Sequence, residues 1–361
     1  MIDARLRLCL AAASVAAGVT LSILPAVAQQ AVKITYISGY PPAATFAGAF
    51  VDTYVKEVDA SLAKTGKFKA DWVLAHSGQV AKARGELEAL QSGIGDISTV
   101  PTPFHLDKVP LFNIVYVTPF TTDNPDFLSS TLAAMEGTFP DYEKLWAALN
   151  QRSLIVSSNV DNYVIASSKP LAKFADLKGI KVGAAGANLP WVTAAGAAGV
   201  SSTLADFYNG LSTGIFNAAL AWPQALGSFK LCEPAPYMLD AGLGSSSMIN
   251  LNVNLDSWKK WPEEVRNALA GAAPAWHKAQ IALLVNGAQT GIDKCKADYK
   301  MTVTKLSPED VKAWAYALPP LAIQWADSIE AKGLPAKKVL AAYMDKMRAG
   351  KQRVVRNWDK E

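Results

Sequence analysis

The chain has 361 residues, of which 50% are hydrophobic and 18% are charged, and its formal net charge is +4. This composition is typical of a soluble globular protein and excludes a disordered or coiled-coil chain, while the length suggests about two domains. A positive charge this small does not favour a nucleic-acid partner, and the basic segment 346–358 is interpreted as a solvated tail.

The first predicted element is a secretory signal peptide over residues 1–28. Arg5 and Arg7 precede an apolar run over 8–27, and Ala-Val-Ala at 26–28 is a small-x-small pattern that signal peptidases accept. An uncleaved membrane anchor is the alternative, because the run is nearly long enough to span a bilayer. The glycine and the proline within the run argue against that alternative. We therefore expect a periplasmic mature protein.

Strand and helix patterns alternate from residue 32 onwards, which is typical of an α/β architecture. In the first part of the chain we predict, in order, a strand at 32–38, a helix at 45–63, a strand at 68–74, a helix at 80–93, strands at 96–101 and 113–119, helices within 124–150, and strands at 153–160 and 162–168. The second part continues with a strand at 181–186, a helix from about 189, a strand at 200–204, a helix at 206–214, strands at 217–222 and 247–255, and an almost wholly helical region over 262–351.

No repeat or low-complexity linker separates these elements, so we expect two lobes that share crossing segments. A cleft between two lobes is a common place for a small ligand.

The two mature cysteines, Cys232 and Cys295, would enter an oxidising compartment that permits a disulfide between them. The sequence alone does not show whether their Cα atoms lie within the distance that a disulfide requires. Two separate, half-buried thiols are therefore the favoured interpretation, and a disulfide is the alternative.

No catalytic pattern stands out in the sequence. His76, His105 and His277 are widely spaced and form no metal-ligand pair. The letters G-x-S-x-G occur at 210–214, but they lie within the predicted helix at 206–214 and do not form the strand-to-helix turn of a nucleophile elbow. The carboxylate pairs Glu86/Glu88 and Glu263/Glu264 are explained by a charged helix face and by a helix first turn. We therefore expect neither a metal site nor a cofactor, and we do not expect an enzyme.

A glycine-rich strand end provides a possible anion site. Gly183 and Gly186 lie between a predicted strand and a helix that Asn188 could cap, with Pro190 at an early helical position. Free backbone N–H groups at such a helix start can bind an anion without a basic side chain. Close packing of strand and helix is the alternative, and the third glycine of a dinucleotide fingerprint is missing.

Four segments in order resemble the solute-binding proteins of tripartite ATP-independent periplasmic (TRAP) transporters, the dicarboxylate-binding DctP-like family. They are SGQVAKARGELEALQSGIGDI at 77–97, KPLAKFADLKGIKV at 169–182, LADFYNGLSTGIFNAALAWP at 204–223 and LDSWKKWPEEVRNALAGAA at 255–273. The resemblance implies an α/β, two-lobed periplasmic binding protein fold with crossing strands and a long bridging helix. It also implies that the protein captures a small organic solute and delivers it to a membrane permease with small and large subunits.

With this fold, lobe I is expected over 29–160 and about 247–288. Lobe II is expected over 161–246 and about 289–361.

The sequence departs from the family where most members bind a carboxylate with two arginines. Tyr163 and Gly183 stand at these two positions, and Trp222 stands before Pro223 where many relatives have asparagine. We interpret these exchanges as a loss of charge and a gain in volume. The expected ligand is therefore an aromatic or apolar-tailed acid rather than a small dicarboxylate.

Arg84 matches a family arginine on the helix of the first lobe and is the candidate partner for a single carboxylate, which could instead meet the helix start near Asn188. The alternative role for Arg84 is an ordinary surface pair with Glu88.

Four further residues are candidates for the cleft. Tyr163 and Trp222 could stack on the ligand and donate hydrogen bonds, although core packing would also explain them. Tyr40 follows the first strand and Gln79 precedes the Arg84 segment, where relatives contact solute.

Two other functions remain open at this point. A sensory binding protein would deliver its closed form to a receptor kinase, and a secreted enzyme could use a similar two-lobed scaffold.

Overall fold

The computed structural model describes residues 29–361, so the predicted signal peptide over 1–28 lies outside the described residues. Its strands are, in chain order, β1 (Gln30–Ile37), β2 (Phe68–Ala75), β3 (Ile97–Pro101), β4 (Gln151–Ser158), β5 (Val164–Ser167), β6 (Lys181–Ala184), β7 (Ala198–Ser201), β8 (Ala218–Ala221), β9 (Tyr237–Asp240), β10 (Met248–Asn254) and β11 (Thr302–Lys305). Its α-helices are α1 (Thr45–Ala49), α2 (Val55–Thr65), α3 (Glu86–Gln91), α4 (Ile114–Val117), α5 (Pro125–Thr138), α6 (Asp141–Ala148), α7 (Leu189–Thr193), α8 (Leu204–Ser212), α9 (Pro223–Ser228), α10 (Leu255–Lys260), α11 (Glu263–Tyr299), α12 (Pro308–Ala317), α13 (Leu321–Glu330) and α14 (Ala336–Ala349).

The strands form two sheets. One has the order β2-β1-β3-β10-β4, and the other has the order β11-β9-β5-β8-β6-β7. In the first sheet β1 runs parallel to β2 and β3, whereas β10 is antiparallel to both of its neighbours. The chain passes from the first sheet to the second between β4 and β5, and it returns between β9 and β10. These two passages are the crossing segments, and the expected α/β fold is confirmed.

Local sequence signals explain where several elements begin and end. The helical segment that contains α2 ends at Gly66, whose φ of 67° is the left-handed conformation that a helix C-terminus favours. Helix α5 begins after Asn124, whose side chain accepts a hydrogen bond from the Phe127 N–H at 2.9 Å. Strands β3 and β10 are wholly buried, as expected for strands at the centre of a covered sheet.

Helix α11 bridges the two sheets. It is 37 residues long and has Glu263 and Glu264 in its first turn, where negatively charged side chains interact favourably with the helix dipole. It packs on α1 and α2 beside the first sheet and on α9 beside the second sheet. A Cβ at Gly227 of α9 would lie 2.8 Å from the Cα of Gly291, so glycines allow these two helices to approach closely.

A disulfide joins Cys232 to Cys295, with the two Cα atoms 5.7 Å apart. The favoured interpretation of two separate thiols is therefore wrong. The close packing of α9 on α11 brings the two cysteines together, although 63 positions separate them along the chain.

Three predicted elements differ from the structure. Residues 113–119, predicted as a strand, contain the helix α4. Three of its four side chains are buried, so tertiary packing overrides the strand preference of the β-branched residues. The helix predicted over 80–93 begins only at Glu86, so Arg84 lies in the loop before α3. Strand β11 interrupts the predicted helical region, and the sequence analysis also missed β9.

Of the three C-terminal helices, α12 contacts residues 174–177 between β5 and β6, whereas α13 and α14 pack on the first sheet's side of the molecule. Helix α13 contacts α4, and α14 contacts α5. The residue boundaries of the two lobes stay a prediction. Within residues 29–361, no helix is long and apolar enough to cross a bilayer.

Candidate functional site

A cavity lies between the two sheets and is open to solvent; its empty space, including solvent at its mouth, is about 450 Å³. Its walls come from the loops that follow β1 and β3, from the two crossing segments, and from the ends of β6, β7 and β8. The lining residues are Tyr40, Phe46, Pro101, Pro103, Phe104, Asn159, Tyr163, Ala185, Ser202, Thr203, Leu204, Phe207, Leu220, Trp222 and Ser247. Aromatic rings dominate this lining, and no charged side chain belongs to it.

Tyr163 lies at the first of the two positions where the resemblance implied an arginine. Its ring packs edge-on against Trp191 at 5.4 Å and against Trp222 at 6.1 Å between ring centroids. Burial raises the pKa of the Tyr163 phenol above its usual range. The hydroxyl is therefore neutral at physiological pH, and this position offers a hydrogen bond rather than a charge.

Gly183 lies in β6 and is covered by the ring of Phe216. A Cβ at Gly183 would lie 2.7 Å from the Phe216 Cζ, and a Cβ at Gly210 would lie 2.2 Å from the same atom. Phe216 also packs edge-on against Phe207, which lines the cavity. The expected gain in volume at Gly183 is therefore wrong, because Phe216 fills the space that two glycines leave open.

Arg84 lies beside the cavity rather than within it. Its guanidinium is 5.0 Å from the ring centroid of Phe104, and its Nη2 donates to the Ser201 Oγ at 3.3 Å. Phe104 belongs to the first sheet's side of the cleft and Ser201 to the second, so Arg84 spans the opening. The alternative surface pair with Glu88 does not form, because Glu88 pairs with Lys108.

Arg84 has a φ of 78°, a left-handed backbone conformation that a residue with a side chain rarely adopts. The loop is held by its neighbours: a Cβ on Gly39 would lie 2.1 Å from the Ala83 backbone N, so only glycine fits against this segment. The cost of the left-handed conformation is about 1 kcal/mol. Such local strain is frequent at functional sites.

Glu86 holds the loop that carries Tyr40. The side chain is wholly buried, and its Oε1 accepts a hydrogen bond from the Gly39 N–H at 3.0 Å. Its other oxygen, Oε2, has no partner among residues 29–361. Burial raises the pKa of Glu86 from 4.5 to about 7, although the hydrogen bond from Gly39 opposes this shift.

We expect this carboxyl group to make the fold less stable as the pH rises. Because the folded-state pKa is higher than the unfolded-state value of 4.5, the contribution of Glu86 to stability is fully present below pH 4.5 and is lost by pH 7 to 8. The loss is on the order of 3 kcal/mol. Urea unfolding at pH 5, 6, 7 and 8 measures this slope.

Glu86→Gln is the matched variant, since its side-chain oxygen still accepts from Gly39 while the titrating group is absent. The same pH slope in the variant and in the wild type would contradict the assignment. The difference between the two proteins is the proper readout, because Asp161 and Glu136 also have raised pKa values, of about 7 and about 8.

The structure brings three of the eight predicted site residues to the cavity wall and leaves the others outside it. Tyr40, Tyr163 and Trp222 line it, although the Trp222 indole N–H already donates to the Gln224 Oε1 at 3.3 Å. Gln79 is exposed in the turn after β2.

Gly186 and Asn188, at the end of the glycine-rich strand, lie outside the cavity, and their role as an anion site stays a prediction. Asn188 is buried before the five-residue helix α7, caps nothing with its side chain, and does not line the cavity. Gly186 lines a separate groove beside Trp325.

Several lining residues were missed by the sequence analysis. Phe104 lies between two predicted strands, and Phe207 lies in the predicted helix at 206–214. Asn159 and Ser247 lie where the chain crosses between the sheets. Polar residues at a crossing between two lobes are a usable signal, because that segment must face the cleft. Within residues 29–361, no group of three histidine, cysteine, aspartate or glutamate side chains is arranged to hold a metal ion.

Comparison with known proteins shows the family to which the chain belongs and the solved structures that it resembles. The family model described as "Bacterial extracellular solute-binding protein, family 7", DctP, matches residues 53–328. A TRAP solute-binding protein of a marine metagenome, solved with pyroglutamate, is 19% identical, with a TM-score of 0.77 over 88% of this chain and 99% of its own. An extracytoplasmic solute receptor of Bordetella pertussis that binds pyroglutamic acid is 18% identical, with a TM-score of 0.75 over 86% and 99%.

The periplasmic ectoine-binding protein of the TeaABC TRAP transporter from Halomonas elongata is 18% identical, with a TM-score of 0.73 over 88% of this chain and 100% of its own. At these identities the likeness establishes a common two-lobed fold. The family match covers more than half of the sequence. The chain therefore belongs to family 7 of the bacterial extracellular solute-binding proteins, the DctP family.

Proposed function

We propose that the protein is the solute-binding subunit of a TRAP transporter, which captures a small organic acid in the periplasm and delivers it to a membrane permease. The observation that carries the proposal is the cavity between the two sheets, whose walls come from both sides of the cleft. Separation of the two lobes would open this cavity, and closure over a ligand would create the surface that a permease recognises. The signal peptide predicted over 1–28 would place the protein in the periplasm.

The relatives support an acid as the ligand. The metagenome and Bordetella proteins are described as binding pyroglutamate. In this chain the aromatic lining favours a flat or apolar body, and burial of a second carboxylate among these rings would be costly without a cation beside it. We therefore infer a monocarboxylic acid with an aromatic or apolar body.

Arg84 is the proposed partner of the single carboxylate. Ser202 and Thr203 line both the cavity and the groove that contains Arg84, so the two spaces adjoin. A ligand whose ring fills the cavity could extend its carboxylate past these two residues to the guanidinium. There Arg84 would exchange its hydrogen bond with Ser201 for a charge-assisted one.

Binding itself can be tested by thermal shift and calorimetry on the mature protein. A panel of benzoate, phenylacetate, pyroglutamate and succinate covers aromatic, polar and doubly charged acids. An acid at one hundred times its dissociation constant is expected to stabilise the fold by about 2.7 kcal/mol. Failure of every organic acid to bind would reject the proposed function. Genes for one small and one large multi-span membrane protein beside this gene would favour transport over sensing.

We expect Arg84→Gly to lower the affinity for an aromatic monocarboxylate by about 10- to 100-fold, the loss of one charge-assisted hydrogen bond. The free energy of unfolding is expected not to fall, because glycine adopts the φ of 78° without strain. Calorimetry with phenylacetate and urea unfolding measure the two effects. Lys82→Ala removes a nearby exposed cation and serves as the control. Unchanged affinity of the Arg84→Gly variant for every acid that binds would overturn this role.

A further inference from the structure

The side chain of Arg84 is exposed, and its contact with one aromatic ring limits where its guanidinium lies. The guanidinium carbon lies over the ring of Phe104, 5.0 Å from the ring centroid. At this distance the negative face of an aromatic ring attracts a cation. Phe104 also lines the cavity. The same ring therefore borders the space for the solute and contacts the charge that is proposed to bind its carboxylate.

The backbone that carries Phe104 is firmly held. Phe104 is the last residue of a short helical turn, Thr102–Phe104, which directly follows the wholly buried strand β3. Pro103 fixes one φ angle within this turn. The Thr102 hydroxyl donates to the Met248 carbonyl oxygen at 3.1 Å, which ties the turn to the neighbouring strand β10. The ring is therefore a fixed platform for a long and flexible side chain.

The two contacts of the Arg84 guanidinium lie on opposite sides of the cleft. Arg84 lies in the loop after β2 and Phe104 follows β3, so both belong to the first sheet's side, whereas Ser201 ends β7 of the second sheet. Separation of the lobes would break the hydrogen bond from Arg84 to Ser201 and would leave the guanidinium over Phe104. The ring can therefore hold the guanidinium at the mouth of the cavity in the open form, which a solute enters.

The contact with the ring leaves the hydrogen-bond donors of the arginine available. The N–H donors of a guanidinium lie in its plane, whereas arginine stacks on aromatic rings through its face. A carboxylate can therefore accept hydrogen bonds from Arg84 while the guanidinium stays over Phe104. A free arginine side chain loses rotamer freedom when it binds a carboxylate, which costs free energy. An arginine that a ring already holds loses less of this freedom.

We propose that Phe104 is a positioning residue, which holds the Arg84 guanidinium at the mouth of the cavity for the carboxylate of the solute. This inference rests on the proposed function and adds to it a residue that favours acids over neutral compounds. A ring that only packed on the apolar body of the solute would favour both classes alike.

A double-mutant cycle with phenylacetate separates these two roles by calorimetry. We expect Phe104→Leu to weaken binding by about three- to tenfold, because the cation–π contact is lost. In the Arg84→Gly background the same substitution is expected to change the affinity by less than about twofold, because no guanidinium is left to hold. Phe104→Tyr keeps the ring and is expected to bind phenylacetate within about threefold of the wild type.

Phe207→Leu is the matched control for the cycle. It removes another ring of the cavity wall, one that packs on Phe216 rather than on Arg84. Its effect on phenylacetate affinity is expected to be the same with and without Arg84. Equal effects of Phe104→Leu with and without Arg84 would assign that ring to direct contact with the solute and would overturn this inference alone. Binding of no acid to the wild-type protein would reject the proposed function together with it.

The Arg84 Nε–H resonance in nuclear magnetic resonance spectra tests the positioning without a ligand. The resonance is identified by its absence from the spectrum of the Arg84→Gly variant. Because ring currents act on protons beside an aromatic face, we expect Phe104→Leu to shift this resonance in the ligand-free protein and Phe207→Leu to leave it in place. A resonance that Phe104→Leu does not shift would overturn the inference. Leucine retains much of the apolar surface of the half-buried Phe104, so the variant is expected to fold.

Discussion

Replacing Gly183 with arginine is expected to destabilise the protein by about 4 kcal/mol and not to create a carboxylate clamp. The arginine Cβ alone would lie 2.7 Å from the Phe216 Cζ, closer than side-chain carbons approach. Overpacking of this kind costs about 1 to 3 kcal/mol, and a guanidinium buried without a partner adds to the cost. Phe216 cannot turn away easily, because the tip of its ring also packs closely against Gly210.

Three variants make this prediction specific. Urea unfolding of Gly183→Arg gives the loss of stability, and the added Phe216→Ala substitution is expected to recover part of it by opening space. Gly186→Arg is the matched control, since a Cβ there meets nothing within 4 Å, and its stability is expected to stay within about 1 kcal/mol of the wild type. A fully stable Gly183→Arg single variant would show that Phe216 moves freely.

The contrast between Gly183 and Phe216 explains what sequence reasoning could and could not reach. The fold followed from local periodicity and from the four family segments, because strand and helix patterns are properties of neighbouring residues. The aromatic residue that fills the site at Gly183 lies 33 positions further along the chain. No local pattern connects the two, so the absence of an arginine was read as empty space.

Arg84 illustrates a second limit. Its segment is rich in helix-forming residues, and the periodicity continues into α3, so a helix from residue 80 was a reasonable prediction. The contact of Gly39 with the Ala83 backbone instead holds the segment as a loop, and it turns Arg84 into the left-handed conformation. Tertiary contact therefore overrides local preference at the place where the charge meets the cleft.

Asn159 was missed for a related reason. The predicted strand at 153–160 included it, whereas β4 ends at Ser158 and the chain crosses to the second sheet directly afterwards. Its place in the cavity wall depends on that crossing, which only the three-dimensional structure reveals.

Removal of the disulfide is expected to lower the free energy of unfolding by about 4 kcal/mol without changing ligand affinity by more than about threefold. The bond closes a loop across a sequence separation of 63, and the entropy that such a loop removes from the unfolded chain corresponds to about 4 kcal/mol. Both cysteines are buried, and neither lines the cavity. The bond instead fixes the segment that follows α9 to the bridging helix α11.

The Cys232→Ala/Cys295→Ala double variant measures this contribution by urea unfolding, with calorimetry for the ligand. A reducing agent should lower the stability of the wild type towards that of the double variant and leave the variant itself unchanged. Substitution and reduction thus give two independent measurements of the protein without the disulfide. Helix α9 begins directly after Trp222, whose ring forms part of the cavity wall. A large loss of affinity in the double variant would therefore mean that the disulfide positions Trp222 for the ligand, whereas retained affinity with reduced stability assigns it to the fold.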